Sequence, residues 1–205
     1  MYCGRVVAVG MSPNSVPFVA YRISSRSFPN REIQVVEDAA RVVPRPGFEA
    51  DLQRNPFITY RCLKVLGGVS IAANGSQIKP IVTKIERGMP IKDAFALGLI
   101  LSDYEGDAYD TPRIVGAIEG GRGYLGIVTR DTLEVARFGL RPGRCRVVAT
   151  NELNRLTEEE YEFAADDAFE AASYLLRGGV FAQMTHAVGS AAWMGGRIAV
   201  ENLTT

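Results

Sequence analysis

VSIAANGSQIKPIVTKIERGMPIKDAFALGLILSDY, residues 69–104, is where this chain changes its secondary structure. Segment 69–73 is a short apolar run with β-branched residues, and Asn74-Gly75-Ser76 breaks it with turn chemistry. Segment 78–87 then reads as a helix stopped by Gly88, and Pro90 fits the first turn of a second helix running to about Tyr104. Ile91, Ala94, Phe95, Leu97, Leu99, Ile100 and Leu101 cover nearly every side of that second helix, which predicts burial on most of its faces.

Outward from this break the chain reads as strands on both sides. Before it lie segments 5–9, 17–24, 33–43 and 57–66, separated by Gly, Pro and Asn turn signals. After it come 113–119, 124–129, 132–138 and 144–149, with Thr129-Arg130-Asp131-Thr132 as a hairpin turn. Gly120-Gly121-Arg122-Gly123 has neither the GxxxxGK[ST] nor the GxGxxG order and precedes a strand, so it reads as a turn and not a phosphate loop. Thr157-Glu158-Glu159-Glu160 predicts a capping box opening a short helix. Ala165, Ala168, Phe169, Ala172, Leu175 and Leu176 mark one face of another, ending at Gly178-Gly179, with a closing strand at 180–185.

Strands in two blocks, with helices between and after them, predict an α+β fold of two stacked antiparallel sheets with helices outside. A doubly wound nucleotide fold is disfavoured by the same order. With no repeat, low-complexity tract or linker, residues 1–205 read as a single domain.

Composition narrows the function classes. Hydrophobic residues are 47% and charged residues 22%, an ordinary globular balance. Lys+Arg and Asp+Glu both total 23, so no global field draws the chain to nucleic acid or an anionic membrane. Cys3, Cys62 and Cys145 are far apart with no CxxC pair, which predicts reduced thiols in a cytoplasmic protein. The start of the chain lacks an export signal, and no apolar run reaches about 18 residues.

Any anion site must therefore be local, and FVAYRISSRSFPNR at 18–31 supplies one. Arg22, Arg26 and Arg31 carry planar charges that fork onto phosphate oxygens, and Ser24, Ser25 and Ser27 add hydroxyl donors. The competing reading is a solvated hairpin edge. A second cluster, Asp103, Glu105 and Asp107 followed by Asp110 and Arg113, sits after the apolar helix, where carboxylates oppose the helix dipole. A carboxylate there, close to an arginine site, is a candidate general base; otherwise it is a solvated acidic loop. Tyr60 alternates with Ile58 along a strand, and Asn74-Gly75 reads as a tight turn. His186 is the only histidine; lacking spaced Cys or His partners, it reads as a structural imidazole at a buried or half-buried strand end.

Taken together, these clusters resemble the archaeal-type IMP cyclohydrolase family. The resemblance is carried by MYCGRVVAVG at 1–10, the 18–31 segment, RNPFITY at 54–60, NGS at 74–76, DYE at 103–105, TPRI at 111–114 and TH at 185–186. It implies a fold like the N-terminal nucleophile hydrolases, a four-layer α-β-β-α sandwich. The nucleophile is not implied: Tyr2 blocks removal of Met1, so no free N-terminal Cys3 thiol is expected, which argues against an amidohydrolase. The implied reaction is closure of 5-formamidoimidazole-4-carboxamide ribonucleotide to IMP with release of water. It needs no metal or other cofactor.

On that resemblance Ser24, Ser25 and Arg26 are assigned to the 5′-phosphate, with Arg31 as an outer helper. Arg22 is assigned to the reacting end, about 13–14 Å from Arg26 if both lie on one face of a strand. Glu105 is the expected base, Tyr60 the hydrogen-bond donor or proton relay at the oxyanion, Asn74 the reader of the carboxamide, and Arg113 the offset to the acidic cluster. A cytoplasmic homo-oligomer acting on a purine ribonucleotide is implied. The alternative is a nucleotide sensor that binds without turnover.

Overall fold

The computed structural model describes residues 1–107 and 109–203. Its strands are β1 Arg5–Met11, β2 Pro17–Ser24, β3 Arg31–Val36, β4 Ala39–Pro44, β5 Tyr60–Leu66, β6 Val69–Ala73, β7 Arg113–Glu119, β8 Arg122–Val128, β9 Leu133–Gly139, β10 Arg144–Ala149, β11 Tyr161–Glu162, β12 Ala187–Met194 and β13 Arg197–Asn202. The α-helices are α1 Asp51–Arg54, α2 Ile78–Glu86, α3 Ile91–Ser102 and α4 Ala168–Arg177.

The strands form two antiparallel sheets, one in the order β11-β10-β1-β2-β12-β13 and one in the order β3-β4-β5-β6-β7-β8-β9. They stack face to face over a core that includes Val7, Val9, Tyr21, Ile114 and Leu125. Strands buried on both faces explain the unbroken apolar runs in the sequence. In β1, Val7 and Val9 point between the sheets while Val6 and Ala8 point to the outer face, where Ala171, Ala172 and Leu175 of α4 cover them. On the other sheet, Ile71, Val115 and Ala117 face Ile81 of α2 and Phe95 and Leu99 of α3. The result is an α+β sandwich with helices on both outer faces. Gly116 lets the sheets close up: a Cβ there would lie 2.5 Å from Val7 and 2.7 Å from Val9.

Several expectations need correction. Segment 33–43 is two strands, β3 and β4, joined at Glu37, whose φ of 55° makes the turn without glycine or proline. Segment 57–66 begins as a 3-10 turn, Pro56–Ile58, before β5. Thr157 opens no helix; its Oγ1 accepts from the Glu159 N–H at 3.4 Å in a local turn. Segment 180–185 is largely the 3-10 turn Gly179–Gln183, and the closing strands are β12 and β13. A flat sheet buries only one stripe of α3, so Leu97, Ile100 and Leu101 are exposed despite their chemistry. His186 is also exposed, at a φ of 58°, with its ring edge-on to Tyr2.

Candidate active site

β2 decides which arginine can meet a ligand. Phe18 and Ala20 face α4, and Arg22 shares their side; Val19, Tyr21 and Ile23 face the opposite sheet. Arg22 is fully buried, donating from Nη1 to the carbonyls of Leu175 and Phe181 at 2.8 Å each, from Nη2 to Met184 at 2.5 Å and from Nε to Ser24 Oγ at 3.2 Å. It satisfies carbonyls left open at the end of α4 and in the turn beyond it. Burial pushes its pKa down to about 10. The reacting-end assignment of Arg22 is therefore corrected: its guanidinium is spent on backbone behind the sheet.

The strand ends at Ser24, so Arg26 does not continue the face of Arg22 along it. The loop that follows is held by Ser25, whose Oγ accepts from Phe28 N–H at 3.0 Å and whose N–H donates to the His186 carbonyl at 3.0 Å. That loop lines a cavity of about 320 Å³ with Ser24, Ser25, Arg26, Ser27 and Arg31 in its wall, together with Arg5 of β1. Arg26 is exposed and lies over the Tyr2 ring, 4.1 Å from its centroid. Arg31 is the inner arginine, not an outer helper: it is buried, with Nε on the Phe28 carbonyl at 3.0 Å and Nη1 on that of Ile58 at 3.4 Å.

A second cavity, about 360 Å³, is lined by Arg54, Phe57, Glu105 and Arg113, and shares Asn55 and Asp107 with the first. The two form a groove with unlike ends, each within the roughly 300–1,000 Å³ of small-molecule sites. A wider depression of about 820 Å³ lies by the α2–α3 connection, away from every one of these polar clusters.

Glu105 is presented by a loop that closes on itself. Its N–H donates to the Thr111 carbonyl at 2.8 Å, while Asp107 accepts from the N–H of Tyr109 and Thr111 and from the Thr111 hydroxyl. The carboxylate stands between Arg5 Nη2 at 3.7 Å and Arg113 Nη1 at 3.6 Å. Those separations exceed hydrogen-bond length, so the oxygens keep lone pairs for a substrate N–H. Burial raises the Glu105 pKa, and Arg5 and Arg113 only partly offset it. A carboxyl held above its ordinary range gives up and takes back a proton more readily than an ordinary surface carboxylate.

Asn74 is buried and fully engaged. Its Nδ2 donates to the Pro112 carbonyl at 2.8 Å, and its Oδ1 accepts from Gln77 Nε2 at 2.7 Å and from Ile114 N–H at 2.8 Å. It fixes the start of β7, and so Arg113, and is in the wall of neither cavity. Its neighbour Gly75 matters more directly: a Cβ there would meet Arg113 Nη1 at 2.7 Å and Glu105 Oε1 at 3.3 Å. Gly75→Ala is expected to lower kcat about tenfold by displacing this pair, with a thermal midpoint near that of the parent. Unchanged kcat in steady-state assays would contradict that placement.

Tyr60 is 7% exposed, and its hydroxyl meets that of Tyr21 at 2.5 Å between the sheets. Both phenols surround Arg5, and burial followed by Tyr60 holds the Tyr21 phenol well above its usual range. Arg5, in the wall of the first cavity, and Tyr21, hydrogen-bonded to Tyr60 behind it, were not singled out by the sequence. Cys3 is buried as well, its thiol pushed up to about 11 by burial and Glu152, which disfavours a nucleophilic thiolate.

Basic groups at one end of the groove and a shielded carboxylate at the other define a binder of small anionic molecules equipped for acid–base chemistry. Comparison with known proteins agrees and goes further. The chain belongs to the IMP cyclohydrolase-like family, whose model matches residues 2–197. It is 42% identical over 193 residues to an IMP cyclohydrolase of Methanosphaera stadtmanae, covering 94% of this chain and 93% of that protein. It is 44% identical to the IMP cyclohydrolase of Methanocella arvoryzae over 161 residues, 77% of this chain and 79% of that one. The Halobacterium salinarum enzyme of the same name is 44% identical over 136 residues, 66% of each chain.

Proposed function

We infer that this chain closes 5-formamidoimidazole-4-carboxamide ribonucleotide to IMP with release of water, the final step of de novo purine biosynthesis. The observation that carries this is the groove with unlike ends, in a chain spanning 93% of a relative named IMP cyclohydrolase. The phosphate lies at the end walled by Ser24, Ser25, Arg26 and Arg31. The imidazole carries its two reacting groups to the end that holds Glu105 and Arg113.

Because both reacting groups sit on one molecule, catalysis is mostly a matter of geometry and proton movement. Glu105 takes the carboxamide proton as the nitrogen attacks the formyl carbon. Arg113, paired with Glu105 at 3.6 Å, orients the carboxylate. Tyr60, hydrogen-bonded to Tyr21 beside Arg5, belongs to the group that meets the formyl oxygen. Arg26→Ala removes a charged donor from the phosphate end alone and is expected to raise KM about tenfold, with kcat within about threefold. A large loss of kcat at unchanged KM would place Arg26 elsewhere.

The same reading makes the chain a cytoplasmic homo-oligomer of N-terminal nucleophile hydrolase-like architecture. The helix-covered antiparallel sheets support the architecture, the three free cysteines support the compartment, and the exposed Leu97, Ile100 and Leu101 of α3 support association.

The test is to mix the folded protein with the formylated ribonucleotide and follow IMP absorbance. Conversion is the expected result. Tight nucleotide binding with no conversion would instead make the chain a nucleotide sensor.

A further inference from the structure

We propose that Asn55 reads a ribose hydroxyl, and that this contact makes the site discriminate between ribonucleotides and deoxyribonucleotides. The proposal rests on the ring-closure reading above and adds the residue that answers the sugar.

A nucleoside monophosphate has a fixed order of phosphate, ribose and base. With the phosphate in the first cavity and the imidazole in the second, the ribose crosses the junction between them. Among the described residues, Asn55 and Asp107 are the two in the walls of both cavities. Asp107 serves its own loop, its oxygens accepting from the Tyr109 N–H, the Thr111 N–H and the Thr111 hydroxyl. Asn55 is half-buried, and its Oδ1 accepts from the Phe57 N–H at 2.8 Å as the cap of the 3-10 turn Pro56–Ile58. A backbone N–H is met by the amide oxygen, so this bond fixes which end of the side chain is which. Nδ2 keeps its donors, with no partner among the described residues. A free amide donor at the junction suits a sugar hydroxyl, whose oxygen accepts.

The backbone around that amide is held on both sides. The Asn55 N–H donates to the Asp51 carbonyl at 3.0 Å. Pro56 fixes the next φ. The carbonyl of the buried Ile58 accepts from Arg31 Nη1 at 3.4 Å. Arg31 begins β3 and stands in the wall of the first cavity, so one arginine ties the phosphate end to the turn that carries Asn55. A donor held this way loses little freedom on binding, and it is left unpaired when the hydroxyl is missing. That asymmetry turns one hydrogen bond into selectivity.

The test compares kcat/KM for the formylated ribonucleotide with its 2′-deoxy and 3′-deoxy counterparts. The parent should favour the ribonucleotide about tenfold over at least one of them, the worth of one hydrogen bond, and the analogue that suffers shows which hydroxyl is read. Asn55→Ser keeps an oxygen for the Phe57 N–H but has no amide. It should lose about tenfold on the ribonucleotide and less than about threefold on that analogue, so the preference shrinks to within about threefold. Asn55→Thr, which also keeps a cap oxygen, carries the test if the serine variant does not fold. A merely structural role would lower all three substrates alike and keep the parental ratio, which would overturn the proposal. A parent that turns over all three within about threefold of one another would overturn it too. Failure of the parent to turn over the ribonucleotide would overturn the ring-closure reading instead. The Kd values of IMP, 2′-deoxy-IMP and 3′-deoxy-IMP then put the same ratio to Asn55 without turnover.

Discussion

Glu105→Gln is expected to cut turnover about 10²-fold or more while IMP affinity stays within about threefold. Glutamine keeps the shape and the site's packing but cannot accept the carboxamide proton. The same substitution is expected not to lower the thermal midpoint, although Glu105 pairs with Arg5 and Arg113. The sign follows from the direction of its titration. Its carboxyl pKa is raised on folding, so the fold disfavours the ionised form; the penalty is absent below the unfolded value and present once pH rises through the folded one. At neutral pH, replacing the carboxylate with a neutral isostere removes that penalty. Near-normal turnover, read beside IMP titration and thermal melting, would sink the assignment.

Arg22→Met gives the opposite signature, a loss of stability rather than of chemistry. Arg22 is fully buried and its guanidinium answers the carbonyls of Leu175, Phe181 and Met184. Methionine fills much of the volume and leaves those carbonyls unpaired, which costs about 3–5 kcal/mol. In a domain of this size that corresponds to a drop of roughly 10 °C in Tm. At a temperature where the variant is folded, kcat should remain within about threefold. A variant with parental Tm and a hundredfold lower kcat would return Arg22 to the reacting end.

These two residues also mark what sequence alone could reveal. The limits of β2 were legible, since Pro17 and the serines bracket an apolar run, but its facing was not. Alternation tells inside from outside only when one face is wet, and both faces of β2 are buried. The parity separating Tyr21 from Arg22 therefore had no sequence signal. Arg5 was hidden for a related reason: one charge before Val6 and Val7 looks like the flank of a strand. Glu105 was legible because a carboxylate after a helix C-terminus is electrostatically out of place unless something answers it, and Arg5 and Arg113 do. β12 went unread because Ala187, Gly189, Ser190, Ala191 and Ala192 have weak strand preference. That strand pairs with β2, and the carbonyl of His186, just before it, accepts from the Ser25 N–H and helps hold the loop that lines the first cavity.

The measurement that tests this account most directly is the pH dependence of kcat/KM for the parent protein beside Glu105→Gln. The parent should show an acid limb above the ordinary carboxylate range, and the residual activity of the variant should lack it. The same limb in both proteins would contradict a site built around Glu105.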